Sequence, residues 1–283
     1  MQMPLTTMKE ILVEARKKGY AVGAFEIWSL DSAQAVVEAA QEQEIPVILQ
    51  AGPLECDFSG MKNIYRIAKM VAEDASIPVA LHADHFQSYE DILRAIDAGF
   101  TSVMIDASHL SFKENVKLTK RVANYAKSAE VTVEAELGKV GGCEANIDVD
   151  EGEATQTNPE EAAMFVKETG IDALAVAIGT AHGFYKSKPK INIGRLKKIA
   201  EKVDIPLVLH GGSGTPDDKV VEAIKCGIAK VNICTEFVAA YGQAYTDIQN
   251  SQDFKYNIPL LFGTGKQAGK ALAAAKIKLF SCR

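Results

Sequence analysis

Three histidines occupy equivalent places in the sequence, at or just beyond the ends of short apolar runs. His85 follows PVALHAD, His182 closes ALAVAIGTAH, and His210 closes PLVLH. In a parallel α/β barrel every strand ends on the same face, so residues far apart in sequence can surround one metal ion there. Catalytic zinc sites typically use three protein ligands and leave one position open. The pattern therefore predicts a shared metal site, and Asp84 beside the first histidine predicts a proton-transfer group.

Two further histidines leave the ligand set open. His82 lies three residues before His85, so the sequence alone permits it as the ligand instead. His109 lies in the segment DASHLSF and is expected to be a spectator or a wall residue. A single histidine is more often a hydrogen-bonded core residue than a ligand, so the metal is favoured only because three histidines occur at strand ends.

Two glutamates, Glu134 and Glu136, alternate along one apolar run. Because side chains alternate across a strand, both carboxylates share a face and can point into the barrel. Buried carboxylates need partners, which a metal ion or histidine N–H groups would supply. The alternative is a structural network of ion pairs.

Two candidate phosphate-binding segments follow the last two predicted strands, and the first of them is rich in glycine. HGGSGTPDD follows one and NICTE the other. Loops at these positions of a barrel often bind phosphate through backbone N–H groups and a helix N-terminus. Gly211, Gly212 and Gly214 allow the backbone to approach a phosphate closely. Ser213 and Thr235 offer hydroxyl groups. A GGSG segment alone is a weak signal, and its position in the chain is what favours a phosphate site.

The elements that position these residues are predicted by eight short apolar runs with amphipathic segments between them. The predicted strands are 21–25, 46–50, 78–82, 102–106, 132–136, 173–178, 206–210 and 230–233. They are apolar runs more than alternating patterns, as in parallel strands buried on both faces. The predicted helices include 6–18, ahead of the first strand, and 31–43, 88–98 and 112–128. This alternation predicts an α/β fold, a (β/α)₈ TIM barrel with an extra N-terminal helix, over a doubly wound open sheet.

One polar, glycine-rich stretch interrupts the alternation. Residues 138–157 are too long for a simple connection, so we expect a lid loop after the fifth predicted strand. From about residue 253 the sequence predicts a connection and a last basic helix. No domain boundary is apparent, and 283 residues is a usual length for one barrel, so we expect a single domain over 1–283.

The charge, hydrophobicity and cysteine content of the chain indicate which classes of binding partner and which cellular compartment to expect. The formal net charge of −6 argues against nucleic acid and anionic membranes. No apolar run approaches the ~20 residues that span a bilayer. The five cysteines are scattered without a pairing motif, which is typical of reduced thiols and predicts a cytoplasmic protein.

At these residues the chain resembles the class II, metal-dependent ketose-bisphosphate aldolases, which include enzymes for fructose and tagatose bisphosphate. The resemblance runs from the first helix to about residue 250. The stretches that carry it are LHADH, SVMIDASH, VEAELGKVGG, AVAIGTAHGFY, LHGGSGTPDD and KVNICTE. The chain looks closer to the tagatose branch, because Cys234 is uncharged where other branches have aspartate.

The resemblance implies a metal site and two proton-transfer groups. It implies that His85, His182 and His210 bind zinc (Zn²⁺), although imidazoles also suit cobalt, manganese or iron. Asp84 would be the acid/base at the hydroxyl of the bond that is cleaved. Glu144, in the lid loop, would exchange a proton at the dihydroxyacetone phosphate carbon.

The resemblance also implies supporting and substrate-binding residues. Glu136 matches a residue of an alternative metal position, and Asp106 one that supports the site. His82 and His109 match no zinc ligand. The residues implied to hold dihydroxyacetone phosphate are Gly183, Gly211, Gly212, Ser213, Asn232, Ile233, Cys234 and Thr235. A monovalent cation (Na⁺ or K⁺) near the phosphate and a homodimer or homotetramer are also typical of the family.

The implied activity is reversible cleavage of a ketose 1,6-bisphosphate to dihydroxyacetone phosphate and glyceraldehyde 3-phosphate, a step of carbohydrate metabolism such as glycolysis. Cleavage beside a ketone leaves an enediolate, which zinc stabilises as a Lewis acid. One proton leaves a hydroxyl and another reaches the new carbanion, so two acid/base groups are needed. No Schiff-base lysine is required, and Lys230, at the start of the last predicted strand, is expected at the wrong end of the barrel.

Three features depart from the family pattern. Phe25-Glu26 stands where Phe-Asn is usual, Ala51-Gly52-Pro53 lacks a hydroxyl before the turn, and the tail ends KIKLFSCR. A carboxylate at residue 26 would alter binding or repel a phosphorylated ligand. The alternatives are a zinc aldolase for a different phosphorylated sugar or keto acid, and a non-catalytic sugar-phosphate-binding barrel. Retention of Asp84, Glu144 and all three histidines argues against the second.

Overall fold

A computed structural model describes residues 5–144, 147–149, 154–185, 189–252 and 254–282, and the side chains of 143–144 and 147–149 fall outside this description. Within these residues the strands are β1 (Val22–Glu26), β2 (Val47–Ala51), β3 (Val79–Phe86), β4 (Ser102–Ile105), β5 (Thr132–Leu137), β6 (Gly141–Glu144), β7 (Ile147–Val149), β8 (Ala173–Val176), β9 (Ala181–His182), β10 (Leu207–Leu209) and β11 (Ile228–Ile233). Eight of them form a closed barrel in the order β1-β11-β10-β8-β5-β4-β3-β2, and every pair is parallel. The predicted (β/α)₈ barrel is confirmed.

Helices alternate with the barrel strands. They are α1 (Met8–Lys18), α2 (Leu30–Gln41), α3 (Pro53–Ser59), α4 (Met61–Glu73), α5 (Tyr89–Ala98), α6 (Phe112–Ser128), α7 (Pro159–Thr169), α8 (Ile193–Ala200), α9 (Asp217–Lys225), α10 (Thr235–Gln249) and α11 (Ile258–Phe280). None of the helices in the described part of the chain has the length and apolarity to cross a membrane.

Local sequence accounts for many of the helix ends. The Ser88 side chain accepts a hydrogen bond from the N–H of Asp91 and caps α5, and Asn158 caps α7 directly before Pro159. Gly99 and Gly170 end α5 and α7 with positive φ angles of 108° and 70°. Only glycine adopts this region without strain, so the chain can turn at once into the next strand.

The extra helix α1 closes the N-terminal end of the barrel. Met8 and Leu12 are fully buried and pack inside the barrel against small residues such as Ala24 and Ala80. Burial of one such side chain contributes roughly 1.5–3 kcal/mol. Because one end is closed by α1, the barrel opens toward solvent at its C-terminal end.

The stretch predicted to be a lid loop contributes two strands to a small three-stranded sheet. Strands β6 and β7 form an antiparallel hairpin, and β6 also pairs in parallel with β9. A Cβ atom at Gly142 would lie 2.2 Å from the His182 carbonyl oxygen, so only glycine permits this approach. The sequence analysis missed this pairing because it involves only two residues of β9. Residues 145–146 and 150–153 of the expected lid lie outside the described residues.

Candidate active site

Three histidines converge at the C-terminal end of the barrel, and we call them the histidine cluster (His85, His182 and His210). His85 lies near the end of β3, His182 ends β9, and His210 directly follows β10. One ring nitrogen of each lies within 4.8 Å of those of the other two. His85 has a φ of 53°, a conformation uncommon for a residue with a side chain and frequent at functional sites. The structure therefore brings together the three predicted ligands.

Two carboxylates fix the rings of this cluster. Asp106 Oδ2 lies 3.0 Å from His85 Nδ1, and Glu134 Oε1 lies 2.8 Å from His210 Nε2. Ionised carboxylates only accept hydrogen bonds, so these two ring nitrogens carry the protons. The lone pairs of His85 Nε2 and His210 Nδ1 then face each other at 2.7 Å. Such an arrangement requires a proton or a metal ion, and carboxylate-oriented imidazoles are the usual ligands of zinc.

Charge is distributed unevenly over the cluster. Burial opposes a charge on His85, but the carboxylates of Asp84 and Asp106 outweigh it and raise its pKa to about 10. Burial and the charge on His85 lower the pKa of His210 to about 4. Burial and the nearby Asp106 raise the pKa of Glu136 to about 8. The pair of facing imidazoles thus attracts one positive charge, and a divalent cation competes with a proton for it.

His82 belongs to a second group, deeper in the barrel. Its Nδ1 lies 2.7 Å from Ser102 Oγ, and its Nε2 lies 3.4 Å from Asp84 and 3.6 Å from Glu134. This group could also hold a cation, but the ammonium of Lys230 already lies 2.8 Å from Glu134 Oε2. His82 is therefore a buried polar residue beside the cluster. His109 is exposed, as expected for a spectator.

The expectation that Lys230 lies at the wrong end is corrected by this ion pair. Lys230 is the third residue of β11 and is fully buried, because its long side chain extends through the barrel interior to Glu134. Burial opposes the charge on Glu134, but Lys230 and His210 lower its pKa to about 2. The Lys230 amine is therefore paired with a carboxylate that also orients a candidate metal ligand, His210.

Asp84 lies between the histidine cluster and two polar side chains at neighbouring strand ends, Gln50 and Asn232. Its Oδ2 accepts hydrogen bonds from Gln50 Nε2 at 3.0 Å and from Asn232 Nδ2 at 3.1 Å. Burial works against the charged form, yet His85, His82 and Lys230 hold the pKa of Asp84 well below its usual range. Asp84 is therefore a buried, ionised carboxylate at the mouth of the barrel, in the protonation state that can accept a proton from a hydroxyl.

The glycine loop, residues 211–214, packs tightly on its neighbours. A Cβ atom at Gly211 would lie 2.3 Å from the Ala181 carbonyl oxygen, next to His182. Gly212 N donates to Asn232 O, and Ser213 Oγ accepts from Glu236 N in the first turn of α10. The loop and the start of a 15-residue helix therefore adjoin, which is the arrangement that binds phosphate in other barrels.

Tyr185 and Glu236 brace this loop. The Tyr185 hydroxyl accepts from Ala181 N at 3.0 Å and lies 3.1 Å from Gly211 O. Glu236 Oε1 accepts from Gly214 N at 2.9 Å, and its Oε2 pairs with Lys276 of α11 at 2.6 Å. The last helix thus helps to support the glycine loop.

Residues 6–283 match the family model described as fructose-bisphosphate aldolase class-II. The chain belongs to this family. It is 44% identical to the fructose-bisphosphate aldolase of Staphylococcus aureus strain Mu50 and 42% identical to that of Staphylococcus epidermidis, with 98% of both chains covered in each comparison. A crystal structure of the YdjI aldolase from Escherichia coli K12 superposes with a TM-score of 0.85 at 35% identity, covering 98% of this chain and 97% of that one.

A second solved structure agrees with this assignment. A putative fructose-1,6-biphosphate aldolase from Coccidioides immitis superposes with a TM-score of 0.88 at 30% identity, covering 97% of this chain and 96% of the other. The protein is therefore an aldolase, a lyase that acts on a carbon–carbon bond. The family resemblance seen in the sequence motifs is confirmed.

The predicted substrate-binding residues of this class II aldolase occupy one rim. Asn232 and Ile233 end β11, Cys234 directly precedes α10, and Thr235 begins it. Gly183 follows His182 with a φ of 78°. Asn232 also donates to Asp84, so the predicted phosphate residues and the predicted acid/base are in contact. The Glu144 side chain lies outside the described residues, and its predicted role stays a prediction.

The sequence analysis missed Gln50, which lies beside Asp84 in the aldolase. Its Nε2 donates to Asp84 Oδ2 and to Glu26 Oε2, both at 3.0 Å. A signal was available, since Gln50 is a polar residue near the C-terminal end of the apolar run PVILQ. Glu26, expected to face substrate, is instead buried and accepts hydrogen bonds from protein groups through both oxygens.

Proposed function

We propose that this aldolase uses zinc to cleave a ketose 1,6-bisphosphate reversibly into dihydroxyacetone phosphate and glyceraldehyde 3-phosphate. The observation that best supports a bound metal is the pair of lone pairs that face each other on His85 and His210. The imidazole of His182 lies beside them as a third ligand. The bisphosphate substrate is supported by the family and by the names of the staphylococcal relatives. Cobalt, manganese or iron would also suit three imidazoles.

The histidine cluster would hold the metal through His85, His182 and His210. A divalent metal bound there supplies a Lewis acid that stabilises the negative charge developing on a ketone oxygen. Asp106 and Glu134 keep two of the rings in the tautomer that presents a lone pair. Glu136, which burial keeps protonated near neutral pH, is the candidate for an alternative metal position.

Asp84 is the proposed base for the hydroxyl at the bond that is cleaved. Its hydrogen bonds from Gln50 and Asn232 hold the carboxylate in one orientation beside His85. Orientation of a reacting group in advance lowers the entropy cost of the chemical step. Glu144 is the proposed group for the second proton, at the carbon of dihydroxyacetone phosphate.

The glycine loop and the start of α10 form the proposed phosphate site. Backbone N–H groups at a helix N-terminus bind anions because the helix dipole places partial positive charge there. The residues proposed to hold dihydroxyacetone phosphate are Gly183, Gly211, Gly212, Ser213, Asn232, Ile233, Cys234 and Thr235. We expect a monovalent cation beside this phosphate, a single domain over 1–283, and a homodimer or homotetramer.

Two ketose bisphosphates, those of fructose and tagatose, are the candidate substrates within this proposal. The uncharged Cys234 favours the tagatose branch, whereas the staphylococcal relatives are named for fructose bisphosphate. A phosphorylated sugar of another kind is the second candidate, favoured by the absence of a hydroxyl at Ala51.

The test is cleavage of fructose 1,6- and tagatose 1,6-bisphosphate side by side, before and after treatment with a chelator and after zinc is restored. We expect release of triose phosphate that stops with the chelator and returns with zinc, and the ratio of the two rates identifies the sugar. Cleavage that persists after the metal content has fallen to zero would overturn the metal mechanism. Absence of cleavage of either sugar by the zinc-loaded protein would overturn the bisphosphate assignment.

A further inference from the structure

Glu26, the main departure from the family pattern, lies in a chain of hydrogen bonds that ends at Asp84. Its side chain is buried at the end of β1. Oε1 accepts from the backbone N–H of Gly52 at 2.7 Å, and Oε2 accepts from Gln50 Nε2 at 3.0 Å. The same Gln50 nitrogen donates its other hydrogen to Asp84 Oδ2. Three neighbouring strands, β1, β2 and β3, thus contribute one residue each to the chain.

This chain allows only one orientation of the Gln50 amide. An amide nitrogen has two hydrogens to donate, and both are directed at carboxylate oxygens here. Reversing the amide would place its carbonyl oxygen against two acceptors, at Glu26 and at Asp84, which is repulsive. Gln50 Oε1 is buried and has no hydrogen-bond partner among the described residues. The orientation is therefore decided by Glu26 and Asp84 together, with no other protein contact to Oε1 competing.

We propose that Glu26 is a positioning residue that orients Asp84 through the Gln50 amide. This inference rests on the proposed function, because it assigns a partner to the base named there. Glu26 itself does not touch the reacting atoms. An asparagine at this position would have a side chain one methylene shorter, and its amide could not offer two acceptor oxygens.

The contacts of Glu26 also bear on the expectation that a carboxylate at residue 26 would repel a phosphorylated ligand. Glu26 Oε1 and Glu55 Oε2 converge on one N–H group, that of Gly52, at 2.7 and 3.2 Å. Burial and the neighbouring charges of Glu55 and Asp84 raise the pKa of Glu26 well above its ordinary value. Both Glu26 oxygens accept hydrogen bonds from protein groups at a buried position, so the carboxylate does not face a phosphorylated ligand directly.

The decisive variant is Glu26→Gln, which has nearly the same shape but only one acceptor oxygen. The amide oxygen can serve only one of the two donors. The backbone N–H of Gly52 is fixed and makes the shorter contact, 2.7 Å against 3.0 Å, so we expect the oxygen to face Gly52 and the new N–H group to displace Gln50 Nε2. We expect kcat to fall about 10- to 100-fold, as for a reacting group displaced by a fraction of an ångström to an ångström, while KM changes less than about twofold. Zinc content should stay near that of the parent protein, and the thermal midpoint should fall by no more than a few degrees.

Glu55→Gln is the matched control. Glu55 accepts from the same Gly52 N–H as the third residue of α3, which is an ordinary capping contact, and it makes no hydrogen bond to Gln50. We expect its kcat to stay within about twofold to threefold of the parent value, on the scale of a surface-proximal capping change. Equal losses in the two variants, or a Glu26→Gln loss confined to KM or to the thermal midpoint, would overturn the positioning role.

A crystal structure of Glu26→Gln separates this inference from the proposed function. We expect the 3.0 Å contact between Gln50 Nε2 and Asp84 Oδ2 to be lost and the carboxylate to rotate. Retention of that contact would overturn the inference whatever the substrate is. If the zinc-loaded parent cleaves neither sugar, the proposed function fails, and the crystal structure still decides whether Glu26 orients Asp84.

Discussion

At the scale of single residues, the chemistry depends on which atoms can donate and which can only accept. Asp106 and Glu134 accept from His85 and His210, and this leaves two ring nitrogens with lone pairs at the same point. The residue types at the strand ends predicted the histidine cluster, because every strand of a parallel barrel ends on one face. The tautomers, and the role of Gln50, could not be predicted, because they depend on side-chain directions within a few tenths of an ångström.

The substitution Asp84→Asn tests the proposed base. Asparagine keeps the size of the side chain, but its amide nitrogen cannot remove a proton from a hydroxyl. We expect kcat for cleavage to fall about 10²- to 10⁴-fold, the usual contribution of general acid–base catalysis. Bound zinc per chain should be unchanged, which elemental analysis measures beside the kinetics. Turnover equal to that of the parent protein would refute the role assigned to Asp84.

At the scale of elements, the site depends on backbone segments that approach one another so closely that only glycine fits at the contact. The glycine loop follows β10 and contacts the chain before His182 through Gly211. Tyr185 bonds both sides of this contact, and β6 pairs with β9 at Gly142. The glycines were visible in the sequence and correctly indicated close approach. Their partners were not visible, since the pairing joins segments separated by a strand and a helix.

The substitution Gly211→Ala tests this close approach. The new Cβ would lie 2.3 Å from the Ala181 carbonyl oxygen, at a residue with a φ of 64°, so the loop must shift. Because His182 and the proposed phosphate site both adjoin this contact, we expect kcat/KM to fall by about 10²-fold. Gly242→Ala, in α10 with nothing within 4 Å of the new atom, is the matched control. We expect it to leave kcat/KM unchanged and to add about 0.5–1 kcal/mol of stability.

Retention of native kcat/KM in Gly211→Ala would show that the two loops do not need this contact. Loss of activity in both variants would point to a general sensitivity of the fold. Urea unfolding of each variant measures the stability change separately from the kinetics.

At the scale of the whole molecule, the barrel has one plugged end and one reactive end. Helix α1 fills the N-terminal end with Met8 and Leu12, and the polar network from Lys230 through Glu134 to His210 occupies the interior above it. Apolar runs and helix caps predicted all eight barrel strands and the first and last helices. The interior network was not predicted, since a lysine near the start of a strand gives no indication of how far its side chain extends.

Because the proposed metal ligands come from three strand ends, metal binding should stabilise the fold as a whole. A ligand that binds only the folded chain adds RT ln(1 + [L]/Kd), about 2.7 kcal/mol at a concentration of 100 Kd. For a chain of this size we expect the thermal midpoint to rise by about 5–8 °C on saturation with zinc after chelation. Scanning calorimetry of the chelated and zinc-restored protein measures the shift.

His182→Ala provides the control for that measurement, because it removes one proposed ligand and leaves the carboxylates that orient the other two rings in place. We expect zinc to raise the thermal midpoint of this variant by less than about 2 °C, since loss of one ligand weakens binding and the stabilisation falls with it. An equal rise in the variant and the parent would place the stabilising metal elsewhere. No rise in the parent, with zinc bound, would mean that binding is not coupled to the stability of the barrel.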